Sequence, residues 1–294
     1  MKRCLCCSIV LSPLAIALVA IFAGFIEQTM YTSLPKSNHL GPIRHTSPLN
    51  TSDFGRFTKP LKHIDYNWVS VSAWHNFFSL KHWDYKSVIT ERYFIVAAIA
   101  HFNYIATTFV YIVDRTAQNK KCYQYSSRSL LASSIEHRAS SSIEGCTVFM
   151  RSSSEYVRLC YESENHQYLI QANVPSVTGD HLFLDIKIPF SVDLNPSMVL
   201  LYPVQIDRPV YTHKIATLPA HGKIRIGQEQ EELLMNGLST IDWTFGYPER
   251  VCRWKWYVDF RLIQLSIGNL MILILSGFPS RLLASMHPII KPFL

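Results

Sequence analysis

Between Asp53 and Phe260 apolar residues recur at every second position in short runs, and turn residues break the runs. YVRLCYE (156–162), HLFLDIKI (181–188) and GKIRIG (222–227) all alternate. That is the period of a pleated strand with one buried face. No stretch sustains a helical period, and QEQEELLMN (228–236), just before Gly237, is the only fair helix candidate. Residues 115–145 are polar and rich in Ser, which reads as a long loop. The pattern predicts an all-β, antiparallel domain over 53–260.

Two long apolar runs need separate readings. YFIVAAIAHFNYIATTFVYIV (93–113) holds 21 residues without Asp, Glu, Lys or Arg, which by length alone suits a membrane span. Yet 15 of the 21 are aromatic or β-branched, and His101 and Asn103 interrupt the run near its centre. Strand-forming composition and polar groups that would face lipid both argue against one spanning helix. The segment is expected to be a buried hairpin bending near His101 to Tyr104.

Cys4 to Ile26 is different: 23 uncharged residues preceded by Lys2 and Arg3. Residues 1–27 read as a transmembrane signal anchor, with a cleaved signal peptide as the alternative. Basic residues stay on the cytoplasmic side, so the domain is expected to be lumenal or extracellular, tethered to the bilayer by a single pass. Residues 28–52, with Pro35, Gly41, Pro42 and Pro48, form a linker. It carries the usable glycosylation sequon at Asn50, because Asn195 is followed by Pro196. Residues 261–294 turn apolar again. They are expected to be either a second membrane segment or an atypical chain end arising from alternative splicing or mis-assembly.

Composition narrows the function classes. Charged residues are 17% of 294 and aromatics 13%, which favours sheets and apolar ligand sites. The net charge of +7 is scattered, with no basic module interleaved with stacking rings, so nucleic acid is not an expected partner. The twelve His are dispersed, the body cysteines Cys122, Cys146, Cys160 and Cys252 lack metal spacing, and no cofactor fingerprint occurs. Neither metal nor cofactor is expected. One or two disulfides among those four cysteines are open, with no pairing specified.

The candidate chemistry is sparse. Trp254 and Trp256 lie two apart, so on a strand they share a face and could wall an apolar ligand site, or form an ordinary core pair. Asp242, beside Trp243 and upstream of Gly246, could act as acid or base in a barrel mouth, or simply bond to its own backbone in a turn. Asp84 and His101 are the candidates to converge with it.

The segments KHWDYKSVITERYFIVAAIAHFNYIATTFVYIVDR (81–115) and GLSTIDWTFGYPERVCRWKWY (237–257) together resemble the family of the domain of unknown function DUF2804. The first motif falls on Lys81, Trp83, Asp84 and Tyr85. The second falls on Asp242, Trp243, Thr244, Gly246, Trp254 and Trp256. The resemblance runs over about 54–260, and His101 stands where an acid is expected. It implies an all-β, calycin-like antiparallel barrel or sandwich, or two with the second incomplete, by analogy with two-barrel proteins that include carotenoid hydratases. The expected ligand is a lipophilic small molecule touching Trp254, Trp256, Trp83 and Tyr85. Two further functions stay open: a hydratase or isomerase using Asp242, and a structural membrane protein without a ligand.

Overall fold

The computed structural model describes residues 54–248 apart from 65, 68, 118–120, 206–207 and 229–231, together with 263–264 and 269–270. The expected anchor, linker, Asn50, Trp254 and Trp256 lie outside the described residues, as does nearly all of the apolar tail. Among the described residues no helix is long and apolar enough to cross a membrane.

The described chain is one curled, antiparallel half-barrel sheet with a single short helix. In chain order it runs β1 (Gly55–Phe57), α1 (Ala73–Ser79), β2 (Lys81–Ile89), β3 (Tyr93–His101), β4 (Ile105–Asp114), β5 (Cys122–Leu130) and β6 (Ile135–His137). It continues with β7 (Gly145–Ser152), β8 (Glu155–Glu162), β9 (Gln167–Pro175), β10 (His181–Pro189), β11 (Met198–Gln205), β12 (Arg208–Ile226) and β13 (Glu232–Gly246). The sheet order is β5-β4-β3-β2-β13-β12-β10-β9-β8-β7-β6, and β11 and then β1 attach to the first part of β12. A separate two-residue pair, β14 (Ile263–Gln264) with β15 (Asn269–Leu270), lies in the tail.

The uncharged run at 93–113 is the β3–β4 hairpin, with Asn103 at φ 58° in its bend. Asn is among the residues that tolerate this conformation. On β3 the odd positions Ile95, Ala97 and Ile99 face the concave side, where β3 packs across the core against β7 and β8. The even positions Ala98 and Ala100 are also buried. Their small side chains lie in register between Tyr85 and Phe109, and between Trp83 and Thr107, which leaves room for larger rings on the convex side. Both faces of the strand are therefore covered, and that is why its sequence lacks polar positions.

Two margins of the sheet approach each other. Tyr125 on β5 donates to Glu155 on β8, Arg151 of β7 donates to Ser127 and to the Arg128 carbonyl, and the Val177 amide donates to the Gln124 carbonyl. A disulfide joins Cys146 to Cys160, which sit opposite each other on β7 and β8.

Three local expectations are corrected. The Ser-rich stretch at 115–145 holds β5 and β6. Tyr123 and Tyr125 bury one face of β5, while Ser129 accepts a bond from the Ser134 amide. The Glu-rich helix candidate enters β13, where Glu232, Leu233 and Leu234 pair with Ile224, Lys223 and Gly222 of β12, so pairing overrides helix propensity. Asp242 is not a turn residue but lies mid-strand in β13.

Candidate functional site

On β2 the alternation places His82, Asp84, Lys86 and Val88 on one face, and that face is the concave one. His82, Asp84 and Lys86 are 0%, 1% and 2% exposed. The neighbouring β13 puts Phe245 opposite His82, Trp243 opposite Asp84 and Ile241 opposite Lys86. One strand further, His213 of β12 stands opposite Trp243. A polar row therefore crosses the concave face between two apolar clusters. One is the main core with Ile95, Ile99, Ile215 and Ile241. The other joins Phe57, Leu201, Tyr211, Trp243 and Phe245 at the end of the sheet beneath the 61–69 connection.

Lys86 Nζ donates to Asp84 Oδ1 at 2.6 Å and lies 5.5 Å from the centre of the Tyr168 ring. Burial raises the Asp84 carboxyl above its usual range, with Lys86 and a Thr147 hydrogen bond opposing the rise. Burial likewise pushes Lys86 down, and the Asp84 charge opposes that fall. The two hold each other ionised in a place where neither charge would survive alone.

The histidines are neutral. Burial holds His82 well below its ordinary value, and the charges of Arg138 and Lys86 add to the effect. Burial takes His213 down to about 3. Burial and then Arg138 take His101 to about 4. His213 Nδ1 shares a 2.7 Å hydrogen bond with the Ser142 hydroxyl.

Around the pair, five buried polar atoms have no hydrogen-bond partner: both ring nitrogens of His82, His213 Nε2, Trp243 Nε1 and the Tyr168 hydroxyl. Ring contacts connect their owners. The His82 and Trp243 rings are 5.0 Å apart, Tyr168 is 5.3 Å from Phe190, and Phe190 is 5.8 Å from His213. Buried polar groups in folded proteins are ordinarily paired, so five orphans around one ion pair are unusual.

The two sequence motifs, remote in the chain, form one ladder here: Lys81 is paired with Gly246, Trp83 with Thr244, and Asp84 with Trp243. At Gly246 (φ 146°) a Cβ would meet the Pro209 carbonyl oxygen at 2.3 Å, so a side chain is excluded where β12 passes. The sequence profile of the domain of unknown function DUF2804 matches residues 48–265. The chain belongs to the DUF2804 family. A crystal structure at 2.00 Å of a candidate AttH protein from Nitrosomonas europaea aligns with 66% of this DUF2804 chain, at 11% identity and a TM-score of 0.40. The alignment covers 58% of that protein's length. None of the curated proteins compared with the chain matches it.

The DUF2804 motif residues divide between the faces. Asp242 points to the convex side, where it is buried and takes a 2.8 Å ion pair from Lys214 and a hydrogen bond from Thr244. Asp84 and Asp242 are thus on opposite faces, and the expected convergence of the two is not formed. Trp83 and Tyr85 are also convex, half-buried and stacked with centroids 6.4 Å apart. His101 is the register partner of His82 and belongs to the concave group. Lys86, His213, Trp243 and Tyr168 were not among the expected site residues. The signal for Lys86 was present in the spacing His82-x-Asp84-x-Lys86, which places three ionisable groups on one strand face.

Proposed function

We propose that the concave face of this DUF2804 domain binds a small, largely apolar molecule with one polar end. That end would sit among His82, His213, Trp243 and Tyr168, beside the Asp84–Lys86 pair. The observation that carries this reading is the set of five unpartnered polar atoms around a buried ion pair. An unsatisfied buried donor or acceptor costs about 1–3 kcal/mol, so a ligand group that pairs with several of them gains affinity from each. A neutral imidazole offers one donor and one acceptor, and the Trp and Tyr groups add donors. The apolar neighbours Ile99, Ile215, Ile241 and Phe190 suit the remainder of such a molecule. Trp254 and Trp256 are retained as proposed contacts to that apolar part.

A second reading has its own support. Passage of the Lys86 proton to Asp84, eased by burial that raises the carboxyl and lowers the ammonium, would give an acid facing an apolar interior that protonates a double bond, as a hydratase or isomerase requires. In that reading Asp84 takes the role expected of Asp242. Asp84→Asn combined with Lys86→Met, which leaves no buried charge without its partner, separates the two: a carrier keeps its affinity, whereas an enzyme keeps binding and loses turnover.

The proposed address is a membrane-tethered domain on the lumenal or extracellular side. It rests on the Cys4 to Ile26 run and is supported by the Cys146–Cys160 disulfide, a bond favoured in oxidising compartments. Native mass spectrometry of the detergent-extracted full chain reads both proposals. The expected spectrum shows a glycan at Asn50 and a co-purifying small molecule. A bare Asn50 contradicts the address, and a ligand-free mass contradicts the binding role.

A further inference from the structure

We infer that the polar end of the bound molecule is an anion, received by Arg138 at the rim and by His82 just inside it. The inference rests on the binding role proposed above and names the ligand class: an apolar chain bearing a compact carboxylate-like head.

Arg138 follows β6, and its guanidinium lies 4.8 Å from the centre of the Phe245 ring. Phe245 is the register partner of His82, and their ring centroids are 6.3 Å apart. The charge of Arg138 reaches both His82 and His101, since it holds each below its ordinary value. No acidic side chain among the described residues pairs with Arg138. The acid of the concave row, Asp84 on β2, is already taken by Lys86 at 2.6 Å. The rim therefore carries an uncompensated cation on a partly exposed side chain. Across the Phe245 ring from it lies a fully buried imidazole, His82, with neither nitrogen bonded.

Those two groups match one chemistry. A guanidinium presents a planar fork of donors suited to a carboxylate, and a neutral His adds an N–H. A neutral polar head, such as an alcohol or ester, would satisfy His82 but leave the Arg138 charge unanswered. The Asp84–Lys86 pair is neutral overall, so it does not oppose an anion at this end. Beside it on the same face, Ile99 and Ile241 belong to the apolar core that an apolar chain would pack against.

The test uses the full chain and two fluorescent probes of the same skeleton, 11-(dansylamino)undecanoic acid and its methyl ester. Wild type is expected to bind the acid at least tenfold more tightly than the ester. Arg138→Gln is expected to weaken acid binding at least tenfold and so to abolish that difference, and Arg138→Lys to restore part of it. Because Arg138 is exposed, the variant should unfold at the wild-type temperature, which shows that the effect is local. Equal binding of acid and ester by wild type overturns the anion inference and leaves the binding role standing. Loss of both probes in Arg138→Gln also overturns it. If neither probe binds wild type, the binding role and the inference fall together.

Discussion

Lys86→Met is expected to destabilise the folded chain by about 3–5 kcal/mol at neutral pH, measured by chemical denaturation. Methionine fills much the same volume, so the loss is not one of packing. It arises because Asp84, 1% exposed, is left as a charge without its partner. Two controls make the cause visible. Asp84→Asn in the Lys86→Met background removes the stranded charge and is expected to recover more than half of the loss. Lowering the pH should do the same to the single variant. Burial already holds the folded Asp84 carboxyl above its ordinary value, and removing Lys86 takes it higher. A group whose folded pKa is raised contributes stability that is present below its unfolded pKa of 3.8 and is lost as pH rises through the folded value. The Lys86→Met variant should thus approach wild type as pH falls toward 4, and an unchanged gap would show that the charge is not the cause.

The second large effect has the opposite sign in pH. His213 is held neutral by burial, with a folded value of about 3 against 6.5 when unfolded. A group whose folded pKa is depressed contributes stability that is complete above 6.5 and is lost as pH falls toward 3. The expected slope is about 1.4 kcal/mol per pH unit across that window. His82, also held well below its ordinary value, acts in the same direction. His213→Gln can keep a hydrogen bond to Ser142 but cannot take up a proton. The stability difference between wild type and this variant should therefore shrink steadily as pH is lowered from 7 to 4. A difference that stays constant with pH would mean that His213 is already protonated in the fold, or is solvated.

The elements that were legible in the sequence are those whose faces are chemically distinct. β8, β10 and the latter half of β12 alternate plainly, and β3–β4 shows its double coverage by the absence of charge. β5 was hidden because serines occupy positions where a strand usually shows apolar residues, and serine is also a loop former. β13 was hidden at its start by Glu-rich sequence whose helix preference is outweighed by pairing with β12. The site was harder to read for a more specific reason. In KHWDYKSVI (81–89) the polar residues His82, Asp84 and Lys86 alternate with Trp83 and Tyr85, and the ordinary reading buries the aromatics and exposes the charges. The structure does the reverse, with the ionisable residues on the concave face and Trp83 and Tyr85 on the convex one. Only the partners across the sheet decide this: Trp243, Ile241 and His213 on β13 and β12, and Thr147 and Tyr168 from β7 and β9. None of them is near β2 in sequence, so spacing alone could not bring them together. The same holds for Asp242, whose neighbour Trp243 faces the cluster while Asp242 itself turns away to Lys214.

The central claim is that the concave polar row is a ligand site, and an experimental structure of the full chain purified from its native source tests it most directly. The expected map shows density for one non-protein molecule within hydrogen-bond distance of at least two of His82, His213 Nε2, Trp243 Nε1 and the Tyr168 hydroxyl, with an apolar portion against Ile99 or Ile241. A map in which ordered waters alone satisfy those atoms would contradict the claim and leave the row as a hydrated structural element of the sheet.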